Sequence, residues 1–384
     1  MPADVLPAPS PEALAHSARV AAHIRDEIER AGGWIDFARY MELALYAPGL
    51  GYYSAGARKL GRDGDFTTAP EMTPLFGAAL AQPAQEILAA GFDSILEVGA
   101  GSGALAAALL AELETRDALP RQYLILELSA DLRERSRDTL AARVPHLLDR
   151  VAWLNRLPPE FDGLVIGNEV LDAMPVHVIR TRDGAVDELG VKCVGEEFAW
   201  SPRAAGDELA AEARRLGLPP GYTTEIALAA RGFIASLARS LRRGVALFLD
   251  YGFPEREYYH PQRAAGTLMC HYRHRAHGDP FFLPGLQDVT AHVDFTAVAR
   301  AGRAAKLGLL GYATQAQFLI GCGITDLIQR VSPDDTARYL PMTNAVQRLI
   351  APTEMGELFK AIALGRDAPP ALSAFARGDR SHTL

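Results

Sequence analysis

The segment Ile95-Leu96-Glu97-Val98-Gly99-Ala100-Gly101-Ser102-Gly103-Ala104 carries an apolar strand into three spaced glycines and then into an alanine- and leucine-rich helix. That order constrains the fold more than any other feature of the chain. Glycines at a strand-to-helix junction permit a tight turn, and they let a ligand approach the backbone where the helix N–H groups point. The next apolar run, Tyr123–Leu128, contains Glu127, 24 residues beyond Gly103. A carboxylate there suits the two hydroxyls of a ribose, and Leu128 lies beside it. Glu97, Gly99, Gly101, Gly103, Glu127 and Leu128 are therefore the expected seat of an adenosine-containing cofactor.

The turn alone leaves two cofactors open. Gly99-x-Gly101-x-x-Ala104 also satisfies the relaxed dinucleotide fingerprint, which keeps an NAD-dependent oxidoreductase in view. Glu97, two residues before the first glycine, favours S-adenosyl-L-methionine: its charge complements the ammonium of a methionine moiety and would repel a pyrophosphate. The chain also ends in a helical pair followed by the strand run Phe359–Leu364, as expected for a late strand inserted antiparallel near the sheet edge. Methyltransferase folds have that strand, whereas dinucleotide folds usually lack it.

Continuous apolar runs at 94–99, 123–128, 151–154, 164–167 and 245–249 alternate with helical stretches, which predicts a doubly wound, mostly parallel sheet covered on both faces. Residues 1–15 read as a proline-interrupted tail, about 13–30 as a helix, and 69–90 as one helix opened by a capping box of Thr68 and Glu71. Residues 176–202 read as a hairpin insertion turning at Asp183-Gly184, 224–242 as a long helix, and 253–290 as irregular. The expected organisation is an N-terminal cap over 1–75 and a core over 76–366, with insertions at about 176–243 and 253–292 and a tail over 367–384. Net charge −8 argues against a nucleic-acid backbone binder. No apolar run is long enough to span a membrane, and no targeting segment is visible, so a cytoplasmic protein without membrane insertion is expected. Three scattered cysteines give no disulfide framework, and the oligomeric state is left open.

The fourth strand run ends in Gly167-Asn168-Glu169-Val170-Leu171-Asp172, at the carboxyl edge where open α/β sheets bind ligands. Glu169 and Asp172 are three residues apart, so one helical turn would bring them to one side. Two carboxylates beside a sulfonium can hold a cationic acceptor and take its proton during methyl transfer. An arginine, with a pKa above about 12, needs that proton sink.

Together, Gly64-Asp65-Phe66-Thr67-Thr68-Ala69-Pro70-Glu71, Glu97–Gly103, Gly167-Asn168-Glu169-x-Leu171-Asp172-Ala173-x-Pro175 and Gln287-Asp288-Val289-Thr290-Ala291-His292-Val293-Asp294-Phe295 resemble the MidA family. Its members are S-adenosylmethionine-dependent protein arginine methyltransferases linked to respiratory complex I assembly. The resemblance implies a class I, Rossmann-like methyltransferase with a seven-stranded sheet. It further implies cofactor binding at Gly99, Gly101, Gly103 and Glu127, and an acceptor site around Asn168, Glu169 and Asp172. The implied substrate is a complex I core subunit, symmetrically dimethylated at an arginine. Mitochondrial relatives carry a presequence not visible here, so a bacterial cytoplasmic member is expected. A different kind of reading keeps the cofactor pocket but makes the protein an assembly factor whose catalysis is dispensable.

The remaining features are less specific. His292 and Asp294 alternate with apolar residues, so in an extended piece both would face one way and line an acceptor channel. Thr67 and Thr68 lie on a loop able to fold over the cofactor. Asn155 follows the third strand, where an adenine edge can be read, and Asn168 is a further candidate for cofactor contact. Cys270-His271-Tyr272-Arg273-His274-Arg275-Ala276-His277 invites a zinc reading, but arginines interleave the histidines and sulfonium chemistry needs no metal, so none is expected. The aromatic segment 34–53 reads as packing.

Overall fold

The structure, a computed structural model, describes residues 6–55, 68–369 and 371–384. It divides into two compact units, one built from residues up to 66, 171–230 and 255–293, the other from 67–170, 231–254 and 294–384.

The second unit is the α/β core. Its strands are β1 (Ser94–Val98), β2 (Gln122–Leu126), β3 (Val151–Leu154), β4 (Phe161–Asn168), β5 (Leu241–Phe253), β6 (Gly308–Thr314) and β7 (Phe359–Arg366). They lie in the order β6-β7-β5-β4-β1-β2-β3. Neighbours from β5 to β3 are parallel, and β7 is antiparallel to both β5 and β6. The expected antiparallel late strand is therefore present, one place in from the edge. The seven-strand count needs correcting, since a two-residue strand, Val293–Asp294, joins off this path as an eighth. Every residue of β1 is buried, which is why its sequence shows no alternation.

Helices cover the sheet through small-residue contacts. Pro74–Ala89 and Ala104–Thr115 pack so closely that a Cβ on Gly77 would sit 2.7 Å from the Ala108 Cβ. The single helix expected over 69–90 is two, Ala69–Met72 and Pro74–Ala89. Thr73, ahead of Pro74, is pushed into an extended conformation, and its hydroxyl accepts the Leu75 N–H. Thr68 makes no side-chain capping bond, so the expected capping box does not form.

The first unit holds helices Pro11–Arg30 and Phe37–Tyr46, a five-stranded antiparallel sheet and a three-stranded sheet. Pro11 starts its helix instead of blocking it, because a proline at the first helical position forgoes only an N–H that has no intrahelical partner. The hairpin expected at 176–202 is three strands, His177–Arg182, Ala185–Val194 and Glu197–Ala204. The helix expected over 224–242 begins only at Leu228, after a strand at Thr223–Ile226 that pairs with His177–Arg182. Inside the stretch read as irregular, Met269–Tyr272 pairs with Arg275–His277 across a two-residue turn in which Arg273 and His274 have φ 48° and 62°.

Candidate active site

The chain doubles back between β1 and β4, and the crevice at their carboxyl ends is where doubly wound sheets take ligands. At the end of β1, Gly99, Gly101 and Gly103 all have positive φ, 67°, 54° and 79°. Gly103 opens the helix Ala104–Thr115, and a Cβ there would lie 2.9 Å from Ser136 Cα. Only glycine meets both demands.

Glu127, just past β2, reaches back to this turn. Its Oε2 accepts the Gly101 N–H at 3.3 Å and its Oε1 the Ser129 N–H at 2.9 Å. Burial raises its pKa, and bonds from the Ser129, Gly101 and Leu128 N–H groups work against that rise. Arg133 pins the strand ends, donating to the carbonyls of Glu127 at 2.8 Å and Leu154 at 3.1 Å. Beside Glu127, the Leu128 side chain is 74% exposed, an apolar surface a flat aromatic ligand could cover. Asn155 is exposed after β3.

Glu97 is 2% exposed, and its carboxylate accepts the Tyr123 hydroxyl at 2.6 Å. Burial pushes its pKa up to about 7; the Tyr123 bond opposes the shift and the charge of Glu127 adds to it.

At the end of β4, Glu169 has φ 51°, a left-handed conformation that glutamate rarely adopts. Its N–H donates to Leu249 O at 2.8 Å. Its Oε1 accepts Asn168 Nδ2 at 3.0 Å and the Ala69 N–H at 3.4 Å. Asn168 Oδ1 is buried and has no hydrogen-bond partner among the described residues. In the same core unit Glu71 accepts the Ser102 hydroxyl, so the short helix Ala69–Met72 is bonded both to the glycine turn and to Glu169.

The structure thus gathers Glu97, Gly99, Gly101, Gly103, Glu127, Leu128, Asn168, Glu169 and Thr68 in the core unit. Thr67 lies outside the described residues. Asp172 belongs to the other unit, buried, with its carbonyl accepting the Ala291 N–H at 3.0 Å. There Tyr53 stacks on Tyr46 and donates to Asp288. Burial raises the Tyr53 pKa well above the usual phenol range, and the charges of Asp288 and Asp172 add to the rise.

His292 and Asp294 fall in different units. The His292 N–H donates to Thr267 Oγ1 at 3.1 Å, while Asp294 caps the helix Phe295–Ala304 through the Ala297 N–H at 2.9 Å. Among the described residues, the ligand atoms of Asp36, His177 and Glu188 come within 4.8 Å of one another. The contact in that group is a 2.6 Å bond from His177 Nδ1 to Glu188. Burial lowers the His177 pKa, but the Glu188 bond and the charges of Asp36 and Glu208 prevail and raise it.

Sequence reasoning overlooked Arg133 and Asp250, and it gave Glu71 a capping role in place of its bond to Ser102. Asp250 carries the signal that located Glu127, an acid ending a wholly apolar strand.

Residues 79–313 match a family of S-adenosyl-L-methionine-dependent methyltransferases. The chain belongs to that family. The MidA resemblance seen in its motifs stands, and the cofactor is S-adenosyl-L-methionine, which closes the alternative of NAD. A COG1565 superfamily protein from Burkholderia thailandensis, solved with S-adenosyl-homocysteine, is 52% identical, with a TM-score of 0.96 over 99% of this chain and 100% of that one. The mitochondrial protein arginine methyltransferase NDUFAF7 of Danio rerio is 28% identical over 86% of this chain and 83% of its own length. The Drosophila melanogaster homologue is 28% identical over 93% and 87%. No helix among the described residues is long and apolar enough to cross a membrane.

The residues present fit the cofactor on their own terms. The turn is kept free of side chains at Gly99 and Gly103, a buried acceptor on Asn168 has no partner among the described residues, and Leu128 leaves apolar surface open.

Proposed function

We propose that this methyltransferase modifies arginine side chains of a protein, with Glu169 holding the acceptor guanidinium. One observation carries the reading: Glu169 is held in a costly left-handed conformation beside the switch point, and two donors fix one oxygen of its carboxylate. Such strain gathers where a side chain must face a ligand. The names of the NDUFAF7 relatives support arginine as the acceptor.

When bound, S-adenosylmethionine supplies an electrophilic methyl group on its sulfonium. Glu127 would hold the ribose hydroxyls, the 99–103 turn the methionine end, Glu97 its ammonium, and Leu128 with Asn155 the adenine. Glu169 pairs with the guanidinium and turns one nitrogen toward the methyl. As the C–N bond forms and the S–C bond breaks, that nitrogen must shed a proton, and the Glu169 carboxylate accepts it. Asp172 is proposed as a second acceptor carboxylate, and His292 and Asp294 as flanking groups.

The MidA resemblance extends the proposal to symmetric dimethylation of a complex I core subunit, in the cytoplasm of a bacterium. Mass spectrometry of arginine methylation in complex I subunits, from cells with and without this protein, tests it. Loss of a dimethylarginine on deletion is the expected result, and an unchanged pattern contradicts the substrate.

A further inference from the structure

Building on that reading of Glu169, we infer that Asp250 is the positioning residue that sets its conformation. Asp250 is the acid near the end of β5, 1% exposed, in the strand that pairs with β4. The parallel ladder runs to the pair Leu249–Asn168, and the Glu169 N–H extends it by bonding to Leu249 O. One residue later the backbone has turned through the left-handed region, and the Val170 N–H meets a side chain: Asp250 Oδ2, at 3.1 Å. Asp250 Oδ1 meanwhile accepts the Tyr251 N–H at 2.9 Å, which fixes the carboxylate against its own strand. Glu169 is thus clamped from both sides, by a carbonyl before the turn and a carboxylate after it.

Two further observations make this more than a strand ending. Val170, the residue Asp250 grips, lies against the cofactor turn, because a Cβ on Gly99 would stand 3.1 Å from Val170 Cγ2. Across the ladder Asp250 is paired with Lys360, itself buried, with its ammonium on the carbonyls of Glu357 and Leu358. Asp250 ends the buried run 244–250 of its strand, where an apolar residue would be expected, and a buried carboxyl needs the hydrogen bonds that fix it in one geometry.

The test compares Asp250→Asn, Glu169→Gln and the double variant in the full chain. The readouts are S-adenosyl-homocysteine affinity, a crystal structure, and methyl transfer from labelled S-adenosylmethionine to protein extract of cells lacking this chain. Asp250→Asn should bind S-adenosyl-homocysteine within about twofold of the parent and transfer roughly 10–100-fold more slowly, a loss on the scale of one misplaced catalytic group. Its crystal structure should show Glu169 out of the left-handed region, and in the Glu169→Gln background it should cost nothing further. Asp250→Glu, which keeps the charge and displaces the acceptor, serves the same readings if the amide variant does not fold. Glu169 unmoved at φ near 51°, or independent losses in the double variant, would overturn the inference. Failure of the arginine reading looks different: Glu169→Gln would then transfer at the parental rate.

Discussion

β1 and β4 lie side by side, with Val98 paired to Gly167, and both leave the sheet through a left-handed residue. At β1 that residue is Gly99 with φ 67°; at β4 it is Glu169 with φ 51°. Glycine takes the conformation without strain, whereas glutamate pays about 1–2 kcal/mol. One bend is therefore set by residue type, while the other is set by hydrogen bonds, which Leu249 O and Asp250 Oδ2 accept from the Glu169 and Val170 N–H groups and which Asn168 and Ala69 donate to the Glu169 carboxylate. The first serves to keep side chains away from a ligand. In the proposed reading, the second serves to aim one.

The sharpest way to break this comparison is at Glu169. Glu169→Gln should lower arginine methylation on the order of 10³-fold while leaving S-adenosyl-homocysteine affinity within a factor of two. Glu169→Gly should be equally inactive yet no less stable to thermal unfolding than the parent, because glycine removes the strain. A clear loss of stability would mean that the bend is not strained.

Next comes Gly103→Ala. The positive φ and the approach of Ser136 Cα together should cost about 2–3 kcal/mol of stability and most of the cofactor affinity. Chemical denaturation and calorimetry would read both, and a neutral result would remove the argument for a backbone-only turn.

A third effect depends on pH. Glu97 titrates at about 7, so between pH 7.5 and pH 6 it goes from mostly charged to mostly neutral and loses its pull on the cofactor ammonium. S-adenosyl-homocysteine affinity should fall roughly tenfold over that fall in pH, a shift of about one pKa unit's worth of interaction. Glu97→Gln should flatten the profile. The sign for the unliganded fold is opposite: a carboxyl raised by burial weakens the fold as pH rises from about 4.5 through 7, because the charge must then be buried. The smallest effect expected is at Leu128, where Leu128→Ser should weaken the cofactor about fivefold, the worth of one to two buried methylenes, with stability unchanged.

Much of this was legible in the chain. The glycines, Glu127 and Glu169 announce themselves because each sits at the end of an apolar run, and a fully buried parallel strand writes itself as such a run. The antiparallel β7 was readable from the helices that precede it. What was hidden is set by contacts distant in sequence. The left-handed turn at Glu169 is closed by the bond from the Val170 N–H to Asp250, 80 residues beyond Val170, and nothing local foretells it. Residues 224–226 read as the first turn of the helix expected over 224–242; their β-branched residues suit a strand, but the run is too short to show a period of its own, and pairing with His177–Arg182 decides it. Thr68 and Glu71 had the spacing of a capping box, but Glu71 turned to Ser102 instead. Asp294 has the alternation of a site residue, and its carboxylate also caps the helix Phe295–Ala304, a contact the alternation does not announce.

The account rests on a division of labour between two acids, and calorimetric titration of S-adenosyl-homocysteine into the parent, Glu127→Ala and Glu169→Gln proteins tests it most directly. Glu127→Ala should weaken binding at least about 30-fold, the worth of a charged pair of hydrogen bonds, and Glu169→Gln should leave it unchanged. Parental affinity in Glu127→Ala, or a collapse of affinity in Glu169→Gln, would contradict it.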